Sequence, residues 1–364
     1  MKRNIAIIAG GDSSEYEVSL RSAAGIYSFM DKARYDVVVV RLHGRDWQAI
    51  PEFDGTNPEV LTGAGCPMDK NDFSFTRGGA KHTFDFAYIT IHGTPGENGI
   101  LQGYLDMIGM PYSCCGVLAA AMTFNKYACN HYLAGFGVKI SPSILLRKGP
   151  WTATLKDEGE KTQLCKRIEA EIGLPCFIKS NVGGSSFGCT KVKTAADVLP
   201  AIERAFQEGD EVICETFMPG TEVTCGAYRT KDKAVAFPVT EVVTHNEFFD
   251  YNAKYKGEVD EITPARIPDE VRDAIQASTL TIYDIIGAQG IIRVDYIITE
   301  TAALTEHRPA SPDRIKTDFP QINLLEVNTT PGMTPTSFIP QQVRAAGLDI
   351  KDVLTDIIEN KFSN

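Results

Sequence analysis

The chain has 364 residues, 43% hydrophobic and 23% charged, which is enough apolar material for several cores in about two or three compact units. Its 36 basic against 47 acidic residues give a net charge of −11, so a broad nucleic-acid surface is excluded as an expectation while a local basic pocket for a small anion is not. No apolar run approaches the ~20 residues that span a bilayer, so no membrane partner is expected.

The opening MKRNIAIIAGGDSSEYEVSL has a basic flank, but its apolar run covers only residues 5–9 before acidic residues follow. It reads as a first strand, and the protein as cytoplasmic. Residues 19–30 read as a helix, 35–42 as a strand, 86–91 as a strand running into a glycine-rich loop at 92–99, and 100–109 as a helix stopped by glycine. This β-α-β order predicts an α/β protein that opens with a Rossmann-like, mostly parallel sheet. Ligands of such sheets lie beyond the carboxyl ends of the strands, where residues 10–17 and 92–99 fall.

A second unit is expected from residue 119. Residues 120–136 read as a helix carrying Lys126, and 144–146, 176–180 and 211–216 as strands, with a glycine-rich turn at 181–188. A third unit from residue 220 holds strands at 223–228, 235–242, 290–299 and 322–328, and helices near 268–287 and 340–361. The polar stretch 300–321 is long for a hairpin and reads as an excursion. The nine cysteines form no CxxC pair, which fits a reducing compartment with buried thiols rather than zinc or a disulfide framework.

The strongest chemical pattern lies in the two late strands. In GIIRVDYIIT, Arg293 and Asp295 share one face, with Ile292, Val294 and Tyr296 on the other. In INLLEVNTTPG, Glu326 and Asn328 share a face opposite Leu325 and Val327. A buried Arg–carboxylate pair would account for Arg293 and one acid. It would not account for a second acid and an amide in otherwise apolar strands. Asp295, Glu326 and Asn328 are hard oxygen ligands suited to Mg²⁺ held against phosphates.

The other patterns are weaker. Lys179 precedes SNVGGSSFG, whose glycines could close over phosphates, although a plain β-turn explains the turn as well. No P-loop and no dinucleotide fingerprint is present, which argues against a nicotinamide dehydrogenase. Glu15, after Gly10-Gly11, is either a ligand for a cationic group or an acid favoured by the helix dipole. FFDYNAKY, with Lys254 and Tyr255, is either a self-packed aromatic loop or an active-site flap.

Taken in order, GGDSSEYEVSL, IHGTPGENGILQGYLDMIGMPYSCCG, NK at 125–126, GLPCFIKSNVGGSSFG, ETFMPGTEVT, FFDYNAKY, IIRVDY and LLEVNTTPGMTPTS resemble the D-alanine–D-alanine ligases of the ATP-grasp superfamily over essentially the whole chain. The resemblance implies a Rossmann-like N-terminal sheet followed by a two-part ATP-grasp fold, divided at 1–118, 119–219 and 220–364. It implies ATP, two Mg²⁺ (or Mn²⁺) ions and D-alanine as partners, and admits a homodimer.

It also implies roles. Glu15 would hold the amino group of the first D-alanine in a trio with Ser185 and Tyr255, and His92 would lie beside that substrate. Lys126 and Lys179 would reach the α- and β-phosphates, Glu215 would line the adenine slot, and Glu222 would take the ribose hydroxyls. Lys254 would approach the γ-phosphate or the substrate carboxylate. Arg293 and the Gly332 amide would form the oxyanion site. Asp295, Glu326 and Asn328 would carry the metals, and Ser337 would bind the carboxylate of the second D-alanine. D-lactate or D-serine as second substrate, another ATP-grasp carboxylate–amine ligase, and a non-catalytic nucleotide-binding regulator are the alternatives. SEYEVSL and PGMTPTS speak against the second, and the three metal-ligand candidates against the third. The chain departs from the family in reading NVGGSS at the turn and in the length of 300–321.

Overall fold

The computed structural model describes residues 2–154, 157–183, 188–244, 259–300 and 320–363. β1 (Arg3–Gly10) is buried from Ile5 onward. Its side chains alternate between two cores. Ile5, Ile7 and Ala9 pack with α1 (Tyr16–Phe29), while Ala6 and Ile8 join Val40, Leu42, Leu101 and Leu105 on the other face. β2 (Tyr35–His43) flanks β1 in parallel. β3 (Asp46–Ile50), β4 (Cys66–Asp69), β5 (Ser74–Arg77) and β6 (Ala80–His82) extend that side as an antiparallel meander. β7 (Phe86–Ile89) closes the other side in parallel, giving the order β6-β5-β4-β3-β2-β1-β7. Among the strands of this sheet parallel pairing joins only β2-β1-β7, continued by a parallel bridge from Ala87 to Tyr112, and the meander was not legible in the polar, turn-rich sequence between β2 and β7.

α2 (Ile100–Met107) follows the 92–99 loop. The helix expected over 120–136 is two helices, α3 (Val117–Phe124) and α4 (Lys126–Ala134). Asn125 between them is extended and accepts a capping hydrogen bond from Ala128 N–H, so α4 starts afresh at Lys126. β8 (Ser143–Arg147), α5 (Lys148–Thr154), α6 (Glu158–Glu171), β9 (Cys176–Ser180), β10 (Thr190–Val192), α7 (Val198–Ala205) and β11 (Glu211–Thr216) form an antiparallel sheet of order β10-β9-β11-β8 with its own core.

The third sheet is built on β12 (Thr221–Arg229). β13 (Ala234–Ala236) and β14 (Thr240–Thr244) pair with it where one strand was expected over 235–242; Pro238, with no amide to donate, lies in the interruption. β15 (Val259–Ile262) borders β14. After α8 (Asp269–Ile285), β16 (Ile291–Thr299) and β17 (Gln321–Asn328) complete the other side. The helix expected over 340–361 is again two, α9 (Phe338–Ala345) and α10 (Ile350–Asn360), separated at Gly347, whose φ of 69° is left-handed. Ile339, Val343, Leu354 and Ile358 of this pair share a core with Ile5, Ile7 and Ile26, so the first and third sheets meet across α9 and α10.

Candidate active site

β16 and β17 bring the late-strand residues together. Arg293 stands opposite Asn328, and Asp295 opposite Glu326, so all four share one face. Ile292, Val294 and Tyr296 point into the core beneath. The ladder then skips, pairing Tyr296 with Leu324 and leaving Leu325 unmatched. This bulge corrects the expected alternation: Leu324 rather than Leu325 joins Val327 in the core.

The Asp295 carboxylate accepts from three side chains. Arg293 donates to both oxygens at 2.8 Å, Thr224 Oγ1 donates to Oδ1 at 2.5 Å, and Asn328 Nδ2 to Oδ2 at 3.1 Å. The Arg–carboxylate pair therefore exists, with Asn328 and Glu326 beside it. Glu326 Oε2 lies 3.3 Å from Lys126 Nζ. Glu222, on the neighbouring strand, is pushed up to about 8 by burial and by the negative charges of Asp295 and Glu326.

Lys126 is the first residue of α4, and it is aimed by neighbours that sequence reasoning did not single out. Asn181 accepts from the Lys126 N–H through its carbonyl and from Tyr127 N–H through its side chain. Glu211 in turn accepts from the side chains of Asn181 and Asn125. Lys126 Nζ thereby reaches Gly183 O, at 2.9 Å, at the edge of the glycine-rich turn. Lys179 and Glu215 form a buried ion pair at 2.6 Å. Burial depresses the Lys179 pKa, but the Glu215 carboxylate, with Glu326 adding to it, outweighs this and holds the ammonium charged.

A second group gathers beyond the carboxyl end of β1. Glu15 is the N-cap of α1, yet its side chain makes no capping hydrogen bond; Glu17 is the acid in the first turn. Both carboxylates therefore stand at the helix N-terminus, where the dipole favours them. His92 is buried, with Nε2 at 3.4 Å from Ser22 Oγ, and that hydroxyl also accepts from Met333 N–H at 3.4 Å. Gly25 permits this approach, since a Cβ there would meet Met333 O at 2.4 Å. Gly332 lies against Ser337, whose Oγ would be 3.0 Å from an added Cβ, and Ser337 is the N-cap of α9. Glu97 accepts from Gly93 N–H at 2.7 Å. Burial pushes Glu97 up to about 8, Gly93 and Lys126 oppose this, and Glu15 and Glu326 add to it. Glu97 is thus electrically coupled to both groups. Ser185, Lys254 and Tyr255 lie outside the described residues.

Among the described residues, no three His, Cys, Asp or Glu side chains form a cluster that could hold a metal ion. Two carboxylates and an amide on one strand face do suit a hard divalent cation that completes its shell with water and substrate phosphates. The donor set fits that use.

The family model for the D-ala D-ala ligase N-terminus matches residues 4–115, and that for the D-ala D-ala ligase C-terminus matches residues 133–307 and 313–359. The chain belongs to the D-alanine–D-alanine ligase family. It is 60% identical over 362 residues to a D-alanine–D-alanine ligase of Bacteroides fragilis, covering 100% of each chain. A D-alanine–D-alanine ligase of Phocaeicola vulgatus is 58% identical over 362 residues, again with 100% of each chain covered. The D-alanyl-alanine synthetase A of Vibrio cholerae superposes with a TM-score of 0.81 at 26% identity, covering 100% of this chain and 99% of that one. The VanG D-Ala:D-Ser ligase of Enterococcus faecalis gives 0.80 at 28%, covering 99% of each. Membership in the D-alanine–D-alanine ligase family brings use of ATP and a divalent cation with it. Among the described residues no helix is long and apolar enough to cross a membrane.

Proposed function

We propose that this chain joins two D-alanines to D-alanyl-D-alanine at the expense of ATP, supplying a cell-wall peptide precursor in the cytoplasm. The observation that carries the reading is the shared face of Arg293, Asp295, Glu326 and Asn328, approached by Lys126 from a separate helix. We take 1–118, 119–219 and 220–364 as its working units. A monomer or a homodimer satisfies it equally.

A carboxylate is a poor electrophile until its oxygen is made a leaving group. Glu15 holds the first D-alanine by its ammonium, with His92 alongside, so that the carboxylate faces the terminal phosphate of ATP. Lys126 and Lys179 hold the inner phosphates, Glu215 and Glu222 the adenosine, and Lys254 approaches the phosphate being transferred. Asp295, Glu326 and Asn328 would hold two Mg²⁺ or Mn²⁺ ions, which when bound spread the phosphate charge. The first carboxylate displaces ADP from the terminal phosphorus to give the acyl phosphate; Ser337 seats the carboxylate of the second D-alanine, whose neutral amine attacks the acyl carbon, and inorganic phosphate leaves as the amine gives up a proton. Arg293 and the Gly332 amide then face the developing oxyanion, where one such donor contributes about 2.7–4 kcal/mol. Glu15, Ser185 and Tyr255 act as one hydrogen-bonded trio that favours an amine nucleophile. Among the full-length relatives, those at 58–60% identity bear the D-alanine–D-alanine name, which favours D-alanine over D-serine as acceptor.

The test is incubation with ATP, Mg²⁺ and D-alanine labelled with heavy oxygen in its carboxylate. Dipeptide, ADP and labelled inorganic phosphate are expected. AMP and pyrophosphate, or unlabelled phosphate, would overturn the acyl-phosphate route. Offering D-serine and D-lactate in competition tests the acceptor.

A further inference from the structure

The third sheet has a break that a side chain fills. β13 ends at Ala236 and β14 begins at Thr240; Phe237 N–H still reaches Gly226 O at 2.8 Å, but β12 has no strand partner there for Gly226 N–H and Thr224 O. Buried strand amides need partners. Gln342 of α9, itself fully buried, supplies them: Oε1 accepts from Gly226 N–H at 2.9 Å and Nε2 donates to Thr224 O at 3.0 Å. Its carboxamide takes the place of a peptide unit of the missing strand. Nε2 also donates to Thr240 Oγ1 at 3.0 Å, and Thr240 Oγ1 lies 2.6 Å from Thr263 Oγ1. Glycine at 226 leaves room for α9, since a Cβ there would meet Ile339 Cδ1 at 2.4 Å and Gln342 Oε1 at 2.8 Å and displace both.

The same segment of β12 touches the proposed metal set. Thr224, whose carbonyl Gln342 holds, donates its hydroxyl to Asp295 Oδ1 at 2.5 Å. Thr224 and Asp295 are direct cross-strand partners, so the β12 backbone sets where that hydroxyl stands. Arg293 and Asn328 fix the carboxylate from its own strand and from β17.

We propose that Thr224 and Gln342 are positioning residues for Asp295: Gln342 fixes the β12 backbone, and Thr224 passes that position to the carboxylate. Groups behind a metal ligand set its orientation, and their loss weakens metal binding about 10–100-fold. The proposal rests on the reading of Asp295 as a metal ligand.

The experiment measures Mn²⁺ binding to the whole chain by EPR at a fixed concentration of AMP-PNP, with the titration of analogue alone subtracted. Thermal unfolding of each variant is followed alongside. Asp295→Asn is the control for the underlying reading. Thr224→Val keeps the branched shape without the hydroxyl, and Thr224→Ser keeps the hydroxyl. Gln342→Met keeps the length and loses all three bonds. Thr224→Val and Gln342→Met should each weaken Mn²⁺ binding by about ten-fold or more, and Thr224→Ser should restore it. Weakened binding in Asp295→Asn with unchanged binding in Thr224→Val overturns the proposal and leaves the metal reading standing. Unchanged binding in Asp295→Asn overturns both. Should Gln342→Met fail to fold, Gln342→Glu, which keeps the acceptor for Gly226, should bind Mn²⁺ more weakly than the parent; parental binding there counts against the proposal.

Discussion

Asp295 and Glu326 stand directly opposite one another on β16 and β17, yet each has its own cation, one from β16 itself and one from α4. Arg293, two residues away on the same strand, takes Asp295, and Lys126, at the start of α4, takes Glu326. Two like charges side by side in a sheet repel. Separate compensation lets both remain on one face, where a divalent cation can use them together. The register skip at Leu325 falls at this pair, as bulges often do beside sites that need a side chain re-aimed.

Glu326→Gln should therefore lower kcat/KM by more than about 100-fold at limiting Mg²⁺, since it removes a ligand and a charge. Stability should change less than activity, because Glu326 keeps 30% of its side-chain exposure and the substituted amide can still accept from Lys126. Steady-state rates across a Mg²⁺ titration check this. Near-parental activity at low Mg²⁺ would remove Glu326 from the metal set.

The Lys179–Glu215 pair differs on its acidic side: Glu215 is buried at 6% exposure, where Glu326 keeps 30%. Glu215→Gln leaves the Lys179 ammonium without its hydrogen-bonded carboxylate, and breaking a buried pair in this way costs roughly 3–5 kcal/mol. Denaturant unfolding should show that loss. Saturating ATP should recover part of it if its phosphates lie beside Lys179. A Lys179→Met, Glu215→Met double variant should be more stable than Glu215→Gln alone. Equal stability of all three would mean that the pair carries no net charge coupling.

All nine cysteines are free, and six of them are buried: Cys114, Cys115, Cys129, Cys176, Cys214 and Cys225. Added reductant should leave the thermal midpoint unchanged. A clear fall would reveal a disulfide and contradict the reducing compartment expected from the cysteine pattern.

The late strands were legible because a period of two writes itself into sequence: Ile292, Val294 and Tyr296 inward, Arg293 and Asp295 outward. What the period could not carry was the skip at Leu325, which is a property of the pair of strands. Lys126 was found within a helix, but the break at Asn125 was missed, although Asn is a strong helix N-cap and offered the signal. Gln342 was not singled out, although its spacing from Phe338 and Ile339 puts it on the buried face of α9; the need for a polar side chain there follows from the gap between β13 and β14, far away in the chain. Asn181 and Glu211 were hidden for the same reason, since their partners lie far away in the chain. Glu97 sat within a motif that was quoted for its histidine, and only folding brings Glu15, Lys126 and Glu326 near it.

Glu97 supplies a pH-dependent prediction whose sign follows from that environment. Its folded pKa is raised to about 8 from an ordinary value of 4.5, chiefly by burial. A carboxyl raised in the folded state binds its proton more tightly there than in the unfolded chain. Its contribution to stability is thus fully present below about pH 4.5, declines as the unfolded chain ionises, and is lost once pH passes about 8. Gln cannot ionise, and it resembles the protonated acid in shape. Glu97→Gln should therefore match the parent in thermal midpoint near pH 4.5 and exceed it increasingly toward pH 8 and above, where the difference levels off. Glu97→Asp, still ionisable, should not show that alkaline gain. Calorimetric midpoints for the three proteins across this range decide the matter. Parallel curves for the parent and Glu97→Gln would mean that Glu97 is already ionised at neutral pH, with the Gly93 amide and Lys126 prevailing over burial.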